Sequence, residues 1–169
     1  LKEAIGLAAD HLSLYQLTIE EGTQFYNLWK AGKLTTPDPD HAAALYEETQ
    51  KITAEHGLPA YEISNHAVPG RESQHNLVYW RYGQYVGIGP GAHGRFVENG
   101  LRTVTMTEKH PETWLEKVAS QGHGIIEEEH LDGEPQGDEF LMMGLRLREG
   151  IDLARYQRLT GHDIDRKRL

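Results

Sequence analysis

The stretch from Tyr61 to Gly94 reads YEISNHAVPGRESQHNLVYWRYGQYVGIGPGAHG, and its interpretation decides that of the rest of the chain. It combines histidine, tyrosine and tryptophan side chains with closely spaced glycines, whereas the flanking sequence is typical of ordinary helices and strands. Two features within it carry information about function. The first is a short helical pattern that begins near Ser73, and the second is a glycine-rich run that ends at Gly94.

The helical pattern covers residues 74–81, and Ser73 is suited to cap its first turn. His75 and Tyr79 are four positions apart and therefore share a face, and Asn76 and Trp80 share the adjacent face. Each of these polar tips needs a hydrogen-bond partner if it is buried. The residues alone leave two interpretations open: the rings pack while His75 bonds a nearby carbonyl, or the helix presents a binding face.

The glycine-rich run contains Gly89, Gly91 and Gly94 in the letter pattern G-x-G-x-x-G of dinucleotide-binding sites. In such sites the pattern opens a helix whose N-terminus holds the pyrophosphate. Here the run leads into two strand-like segments separated by Asn99-Gly100, which is a strong hairpin signal. We therefore reject a dinucleotide site, and we expect these glycines to let the backbone approach a flat ligand or another strand closely.

Residues 10–19 alternate as a strand would. The pattern fits a barrel strand with His11, Ser13 and Tyr15 facing an interior cavity, and it fits equally a half-exposed strand of any α/β protein. A helix is predicted over about residues 39–56, with Asp38 as its cap, and a short strand over residues 60–64. This alternation of helices and strands favours parallel strands joined by crossover helices.

The last third of the chain is predominantly helical in pattern. Thr107 is predicted to cap a helix that runs to about Ser120, and residues 127–129, three glutamates, are predicted to form a solvated loop after a short strand at 125–126. Helices are expected over residues 138–148 and from Asp152 to about residue 159, and a further helical start is expected in residues 163–169. Neither end of the sequence looks like a natural terminus, so we expect a fragment of a longer protein.

The composition excludes several classes of function. A net charge of -9 without a basic stripe argues against nucleic-acid binding. No run approaches 18 apolar residues, so no membrane span is predicted. The absence of cysteine excludes disulfides and any thiolate-bound zinc or iron–sulfur cluster within these residues, and a cytoplasmic protein is the simpler interpretation.

Four motifs together resemble the radical S-adenosylmethionine (SAM) proteins of the oxygen-independent coproporphyrinogen III oxidase-like family, in particular the HemW-type haem chaperones. The motifs are HLSLYQLTIEEGTQFY, YEISNHAVPGRESQHNLVYW, YVGIGPGAHGR and FLMMGLRLREGID. The most discriminating part is the HNxxYW motif at residues 75–80. The resemblance implies an α/β fold in which residues 1–106 form the C-terminal part of an incomplete (β/α) barrel with a hairpin extension. Residues 107–169 would begin a helical C-terminal domain.

The resemblance also implies site residues, cofactors and partners. It places His75, Asn76, Tyr79 and Trp80 at haem, with His75 as the candidate axial ligand. His66 and His93 are also chemically able to bind iron, and we rank them below His75. It places Asp10, Gly87, Gly89, Ala92 and His93 on the SAM side. The family's 4Fe–4S cluster is held by a CxxxCxxC motif that these residues lack, so we expect the cluster and SAM in the full-length parent, and no catalytic or cluster-binding residue here.

Two functions follow from the family. The first is a haem chaperone, which binds haem or porphyrin and delivers haem to acceptor proteins. The second is an enzyme that oxidatively decarboxylates coproporphyrinogen III through a SAM-derived radical. The HNxxYW motif favours the chaperone. If the first strands of the barrel are absent, part of the inner face of residues 10–19 should be exposed.

Overall fold

The first 72 residues form one of two units into which the chain divides in the computed structural model, which describes residues 1–165. This first unit contains three helices and a two-stranded antiparallel sheet. Its elements are α1 (Lys2–Leu7), β1 (His11–Ser13), α2 (Gln24–Lys30), α3 (Pro39–Glu55) and β2 (Asn65–Ala67).

Polar side chains connect the two short strands of the first unit. Ser13 Oγ donates to Asn65 Oδ1 at 2.5 Å, and Asn65 Nδ2 donates to Glu62 Oε1 at 2.7 Å. Glu62 is 1% exposed, and its carboxylate also accepts from the backbone N–H of Ser64. Hydrogen bonds of this kind offset the cost of burying a carboxylate.

Two predictions about these strands are wrong. The predicted strand over residues 10–19 contains only three strand residues, His11–Ser13, and its partner β2 lies at residues 65–67 rather than at 60–64. The strands pair antiparallel, not parallel, with Leu12 opposite His66. The connection over residues 14–64 contains two helices, as a crossover would, but it is long enough to return the chain in either direction.

Residues 14–19 follow β1 without regular structure, and several of their side chains are exposed. Tyr15 is 77% exposed and Leu17 is 53% exposed. The expected exposure in this segment is therefore observed at Tyr15. The other two residues of the predicted inner face are engaged within the unit, because His11 Nε2 lies 2.9 Å from the Tyr61 hydroxyl and Ser13 bonds Asn65.

Helix α3 begins and ends where the sequence predicts. Asp38 Oδ1 accepts from the backbone N–H of His41 at 2.9 Å, and Pro39 occupies the first turn, where a missing N–H leaves no hydrogen bond unmade. Gly57 follows the helix with a φ of +79°, a conformation that glycine adopts without steric cost.

The second unit begins at Ser73, and its described residues form four helices and a three-stranded antiparallel sheet of order β3-β4-β5. None of the helices among residues 1–165 is both long and apolar enough to cross a membrane. The elements are α4 (Gln74–Trp80), β3 (His93–Glu98), β4 (Leu101–Thr107), α5 (Pro111–Gln121), β5 (Ile125–Leu131), α6 (Gly133–Gly144) and α7 (Leu153–Thr160).

The hairpin between β3 and β4 confirms the signal that excludes a dinucleotide site. Asn99 and Gly100 both have positive φ, +51° and +81°, as the two central residues of a type I′ turn require. Glu98 pairs with Leu101, so the turn has two residues, and the pairing continues to His93 opposite Met106.

Three predictions in the last third of the chain need correction. Thr107 ends β4 and caps nothing, and α5 begins at Pro111 after His110. The three glutamates at 127–129 lie in β5, an edge strand, where their charges face solvent and discourage pairing with other chains. The helix predicted over 138–148 begins earlier and ends earlier, at Gly133–Gly144.

The core of the second unit lies between α6, α7 and the residues after α4. Tyr82, Phe140, Leu141 and Tyr156 are buried against one another. Helix α7 begins as predicted, because Asp152 Oδ1 accepts from the backbone N–H of Arg155. Of the helical start predicted at 163–169, residues 163–165 are not helical, and residues 166–169 lie outside the described part of the chain.

The predicted domain boundary between residues 106 and 107 stays a prediction. The division into units falls elsewhere, between Glu72 and Ser73. Strand β4 spans residue 106 and pairs with β5, so the sheet of the second unit contains residues from both sides of the predicted boundary.

We expect substitution of Gly100 by alanine to lower the free energy of unfolding by about 1 kcal/mol, since an alanine at a φ of +81° brings its Cβ against its own backbone. No other atoms lie within 4 Å of the added Cβ, so the loss reports the turn conformation alone. Urea unfolding measures it. Gly100→Asn is the matched control and should lose less, because asparagine tolerates this conformation. Equal losses for alanine and asparagine would contradict the assigned turn.

Candidate functional site

Helix α4 presents the residues that the sequence singles out. Ser73 Oγ accepts from the backbone N–H of Asn76 at 3.3 Å, which confirms the predicted cap. Leu77 is buried and fixes which side of the helix faces the protein. His75, by contrast, is exposed.

His75 and Tyr79 contact each other along the exposed side of α4. The Tyr79 hydroxyl lies 2.9 Å from His75 Nε2, and the two rings meet edge to face at 4.8 Å between centroids. The interpretation in which His75 bonds a backbone carbonyl is therefore not the one observed. A tyrosine hydroxyl can donate to an imidazole nitrogen or accept from it, so the bond exists with either neutral tautomer of His75.

The Tyr79 ring packs against the ring of Tyr85. These two rings are also edge to face, with centroids 4.6 Å apart. Tyr85 pairs through its backbone with Arg95 on β3, in both directions, at 2.7 and 2.8 Å. Burial raises the pKa of Tyr85, so its phenol remains neutral throughout the physiological range.

An ion pair lies next to these tyrosines, between β3 and α6. Arg95 Nε donates to Glu139 Oε1 at 2.8 Å, and the two side chains are only 19% and 12% exposed. Burial and then the neighbouring Glu139 carboxylate raise the pKa of Tyr82 far above its usual value. The Arg102 guanidinium lies 4.0 Å from the centre of the Tyr82 ring. Tyrosines and paired charges therefore lie next to the exposed His75–Tyr79 pair.

Trp80 differs from His75 in its surroundings. The guanidinium of Arg146 covers its ring at 4.3 Å, and its Nε1 atom is buried without a hydrogen-bond partner among the described residues. One face of the indole is thus occupied by protein. Of the four residues assigned to haem, His75 and Tyr79 contact each other directly. Asn76 donates its backbone N–H to the capping Ser73, and Trp80 packs against Arg146.

Side chains from later in the chain hold the C-terminal end of α4. Arg155 donates to the carbonyl oxygens of Arg81 and Tyr82 at 2.6 and 2.7 Å. Arg81 in turn makes a two-pronged ion pair with Glu149, at 2.7 and 2.8 Å. These contacts fix the helix that carries His75.

The glycine run before β3 folds back on itself. A Cβ on Gly87 would lie 2.5 Å from the backbone oxygen of His93, and one on Gly94 would lie 2.5 Å from Thr105 Oγ1. The Thr107 hydroxyl donates to the carbonyl of Gly89 at 2.6 Å and accepts from the N–H of Ala92 at 2.8 Å. Close backbone approach, one of the two expected reasons for these glycines, is observed within the protein itself.

The remaining predicted site residues differ in their exposure. Asp10 belongs to the first unit, where it is half-exposed and 3.5 Å from Arg71. His66 also belongs to the first unit and is 1% exposed, so its imidazole is not accessible to a bulky ligand. His93 is exposed at the start of β3. Of the three histidines considered as haem ligands, His75 and His93 are therefore the accessible ones.

The first unit contains a groove that the sequence does not indicate. Its volume is about 870 Å³, within the range of small-molecule sites. The irregular segment 14–19 forms one side, and α2 and α3 contribute Trp29, Leu45 and Tyr46. The groove is apolar, consistent with the exposure of Leu17 and Trp29.

A 4Fe–4S cluster does not fit the residues present. The chain has no cysteine, and residues 1–165 contain no group of three or more histidine or acidic side chains placed to hold a metal ion. A haem iron differs in this respect, since the porphyrin supplies four of its ligands and one accessible imidazole can supply the fifth. His75 carries an exposed imidazole.

Sequence reasoning missed the residues that support α4 and the glycine run, namely Tyr85, Arg95, Thr107, Glu139, Glu149 and Arg155. Most of their contacts join positions 15 to 74 residues apart, and local pattern carries no signal for such contacts. The one local hint is that Glu139, Arg146, Arg148 and Glu149 interrupt an otherwise apolar segment.

Comparison with known proteins bears on the whole chain. Residues 131–167 match the family model for the HemN C-terminal domain. The chain is 41% identical over 158 residues to "Radical S-adenosyl methionine domain-containing protein 1, mitochondrial" of Danio rerio, which covers 89% of this chain and 35% of that protein. It is 37% identical over 166 residues to "Heme chaperone HemW" of Bacillus subtilis (strain 168), covering 98% of this chain and 42% of that protein. The chain thus spans less than half the length of these relatives.

Among solved structures, the chain resembles coproporphyrinogen III oxidase (HemN) from Escherichia coli, a radical SAM enzyme. The TM-score is 0.66 at 15% identity, over 95% of this chain and 39% of that chain. At this identity the likeness shows the fold alone, and it confirms the predicted α/β class. With the sequence matches, it confirms the family resemblance that the four motifs indicate.

We expect Thr107→Val to lower the free energy of unfolding by about 1–3 kcal/mol, because valine keeps the shape but leaves the Gly89 carbonyl and the Ala92 N–H without their partner. Thr107→Ser is the matched control: it keeps the hydroxyl and should retain most of the stability. Urea unfolding compares the two. A valine variant as stable as the serine variant would show that these hydrogen bonds do not hold the run.

We expect Glu139→Gln to destabilise the protein by about 3 kcal/mol, since it leaves the charge of Arg95 largely buried without a carboxylate. Glu149→Gln is the control, because Glu149 also pairs with an arginine, but both of those side chains are 51% exposed. That change should cost less than about 1 kcal/mol. Thermal and urea unfolding of the two variants provide the test, and equal losses would contradict the distinction.

Proposed function

We propose that this chain, a homologue of the HemW-type radical SAM proteins, belongs to a protein that binds haem and delivers it to acceptor proteins. The observation that carries the proposal is the accessible imidazole of His75 on a helix held at both ends. Imidazole is a common axial ligand of haem iron. The homologous Bacillus subtilis protein is named "Heme chaperone HemW", which supports this proposal.

The proposed site consists of His75 as the iron ligand, with Tyr79 beside it. Asn76 and Trp80 belong to the site by resemblance, and their contacts support the helix rather than a ligand. The exposed position of His75 suits a cargo that must be handed on, because a fully enclosed haem could not be transferred without opening the protein.

The assignments to SAM and the iron–sulfur cluster concern the longer protein of the family. We propose that Asp10, Gly87, Gly89, Ala92 and His93 lie on the SAM side, and this rests on the resemblance alone. The cluster would supply one-electron reduction of SAM when bound, and its ligands are not among the present residues. A cytoplasmic location is likewise proposed, although the Danio rerio relative is named as mitochondrial.

Haem titration followed at the Soret band tests the proposal. The protein should bind haem with a shifted Soret maximum, and His75→Ala should weaken binding by more than about tenfold because the axial ligand is lost. His110→Ala is the matched control, since His110 is also exposed and lies outside the site. It should bind as the unaltered protein does.

Two results would contradict this proposal. If His75→Ala and His110→Ala bind haem equally well, His75 is not the ligand, and His93→Ala then tests the second accessible histidine. If the reconstituted longer protein converts coproporphyrinogen III to its decarboxylated product, the oxidase is the function. That assay is performed with the iron–sulfur cluster restored, so that a lack of product cannot be due to a missing cluster.

A further inference from the structure

The atom of His75 that a haem iron would need is already engaged. His75 Nε2 lies 2.9 Å from the Tyr79 hydroxyl. The other ring nitrogen, Nδ1, makes no hydrogen bond within residues 1–165. The two nitrogens of an imidazole are chemically distinct in such a setting, because the bond made by one determines what the other can do.

A porphyrin discriminates between these two nitrogens. Nδ1 is adjacent to the carbon that carries Cβ, so an iron bound there would bring the flat macrocycle against the backbone of α4. Nε2 is at the far end of the ring and leaves room for a disc centred on the iron. His75 lies on an α-helix, where the side chain stands directly on the helical backbone. Iron of a porphyrin therefore requires Nε2, the nitrogen that Tyr79 occupies.

Tyr79 is held in place at this nitrogen. Its ring packs edge to face against both His75 and Tyr85, with centroids at 4.8 and 4.6 Å. Tyr85 is fixed by its backbone pairing with Arg95, whose side chain is anchored by Glu139. The hydroxyl is thus directed at Nε2 by packing, and the hydrogen bond is not a chance contact of two mobile side chains.

From this geometry we infer that the Tyr79 hydroxyl is an autoinhibitory contact that competes with haem iron for His75 Nε2. The inference rests on the proposed function, in which His75 is the ligand. Haem binding then requires the Tyr79–His75 hydrogen bond to break, and release of haem allows it to form again. The contact lowers the affinity for haem and favours transfer of the cargo to an acceptor.

The size of the effect follows from the strength of the bond that is broken. The net contribution of one neutral hydrogen bond corresponds to about twofold to tenfold in an equilibrium constant. Since the pair is exposed, water can replace the lost partner, and the effect should lie within that range. Removal of the hydroxyl should accordingly tighten haem binding by about two- to tenfold.

The experiment compares Tyr79→Phe with Tyr85→Phe in haem titrations of the purified protein. Tyr79→Phe removes the hydroxyl and keeps the ring that packs on Tyr85, and it should tighten binding. Tyr85→Phe removes a hydroxyl from the neighbouring ring, which makes no hydrogen bond to His75, and it should leave the affinity unchanged. Circular dichroism and unfolding curves verify that both variants fold.

A double-mutant cycle locates the effect. In a His75→Ala background, Tyr79→Phe should no longer change haem affinity, because the competition acts through Nε2. Weaker or unchanged binding of the Tyr79→Phe protein, with His75→Ala still impaired, would overturn the inference and leave the proposed function standing. If His75→Ala binds haem as well as the unaltered protein does, His75 is not the iron ligand. The proposed site and this inference are then both wrong.

Discussion

The position of α4 depends on the two guanidinium bonds that Arg155 makes to the end of this helix. The last carbonyls of a helix have no partners within it, and Arg155 donates to the carbonyl of the C-cap residue Arg81 and to that of Tyr82, the next residue. A cation at this end is also favoured by the helix dipole. Arg155 lies on α7, within the segment that matches the HemN C-terminal domain. The helix with the HNxxYW motif is therefore fixed by a residue more than 70 positions later in the chain.

This anchoring explains why His75 faces outward. Leu77 is buried on one side of α4, and Trp80 is covered by Arg146, so the helix cannot rotate about its axis without exposing apolar surface. The remaining face carries His75 and Tyr79. Exposure of the imidazole is thus a consequence of packing on the opposite side of the helix, and the proposed function uses a side chain that contributes little to the core.

The sequence was sufficient for features whose physical cause lies within a few residues. Ser73, Asp38 and Asp152 each cap a helix as predicted, and Asn99-Gly100 forms the predicted turn, because a cap or a turn is determined by its own local hydrogen bonds and φ angles. The fold class followed from motifs. The predictions of strand direction and strand length were wrong. Strands β1 and β2 have only three residues each, and their pairing involves side chains 52 positions apart. The residues that contact α4 were missed for the same reason.

The glycine run contains positions of two kinds. The hairpin after the run excludes a dinucleotide site, and the glycines differ in what surrounds them. A side chain at Gly87 or Gly94 would collide with the protein itself, so these two positions are explained by folding. Gly89 has a φ of +104° and open space where a Cβ would be. A ligand that approaches this backbone therefore has room beside Gly89, whereas the space beside Gly87 and Gly94 is already filled.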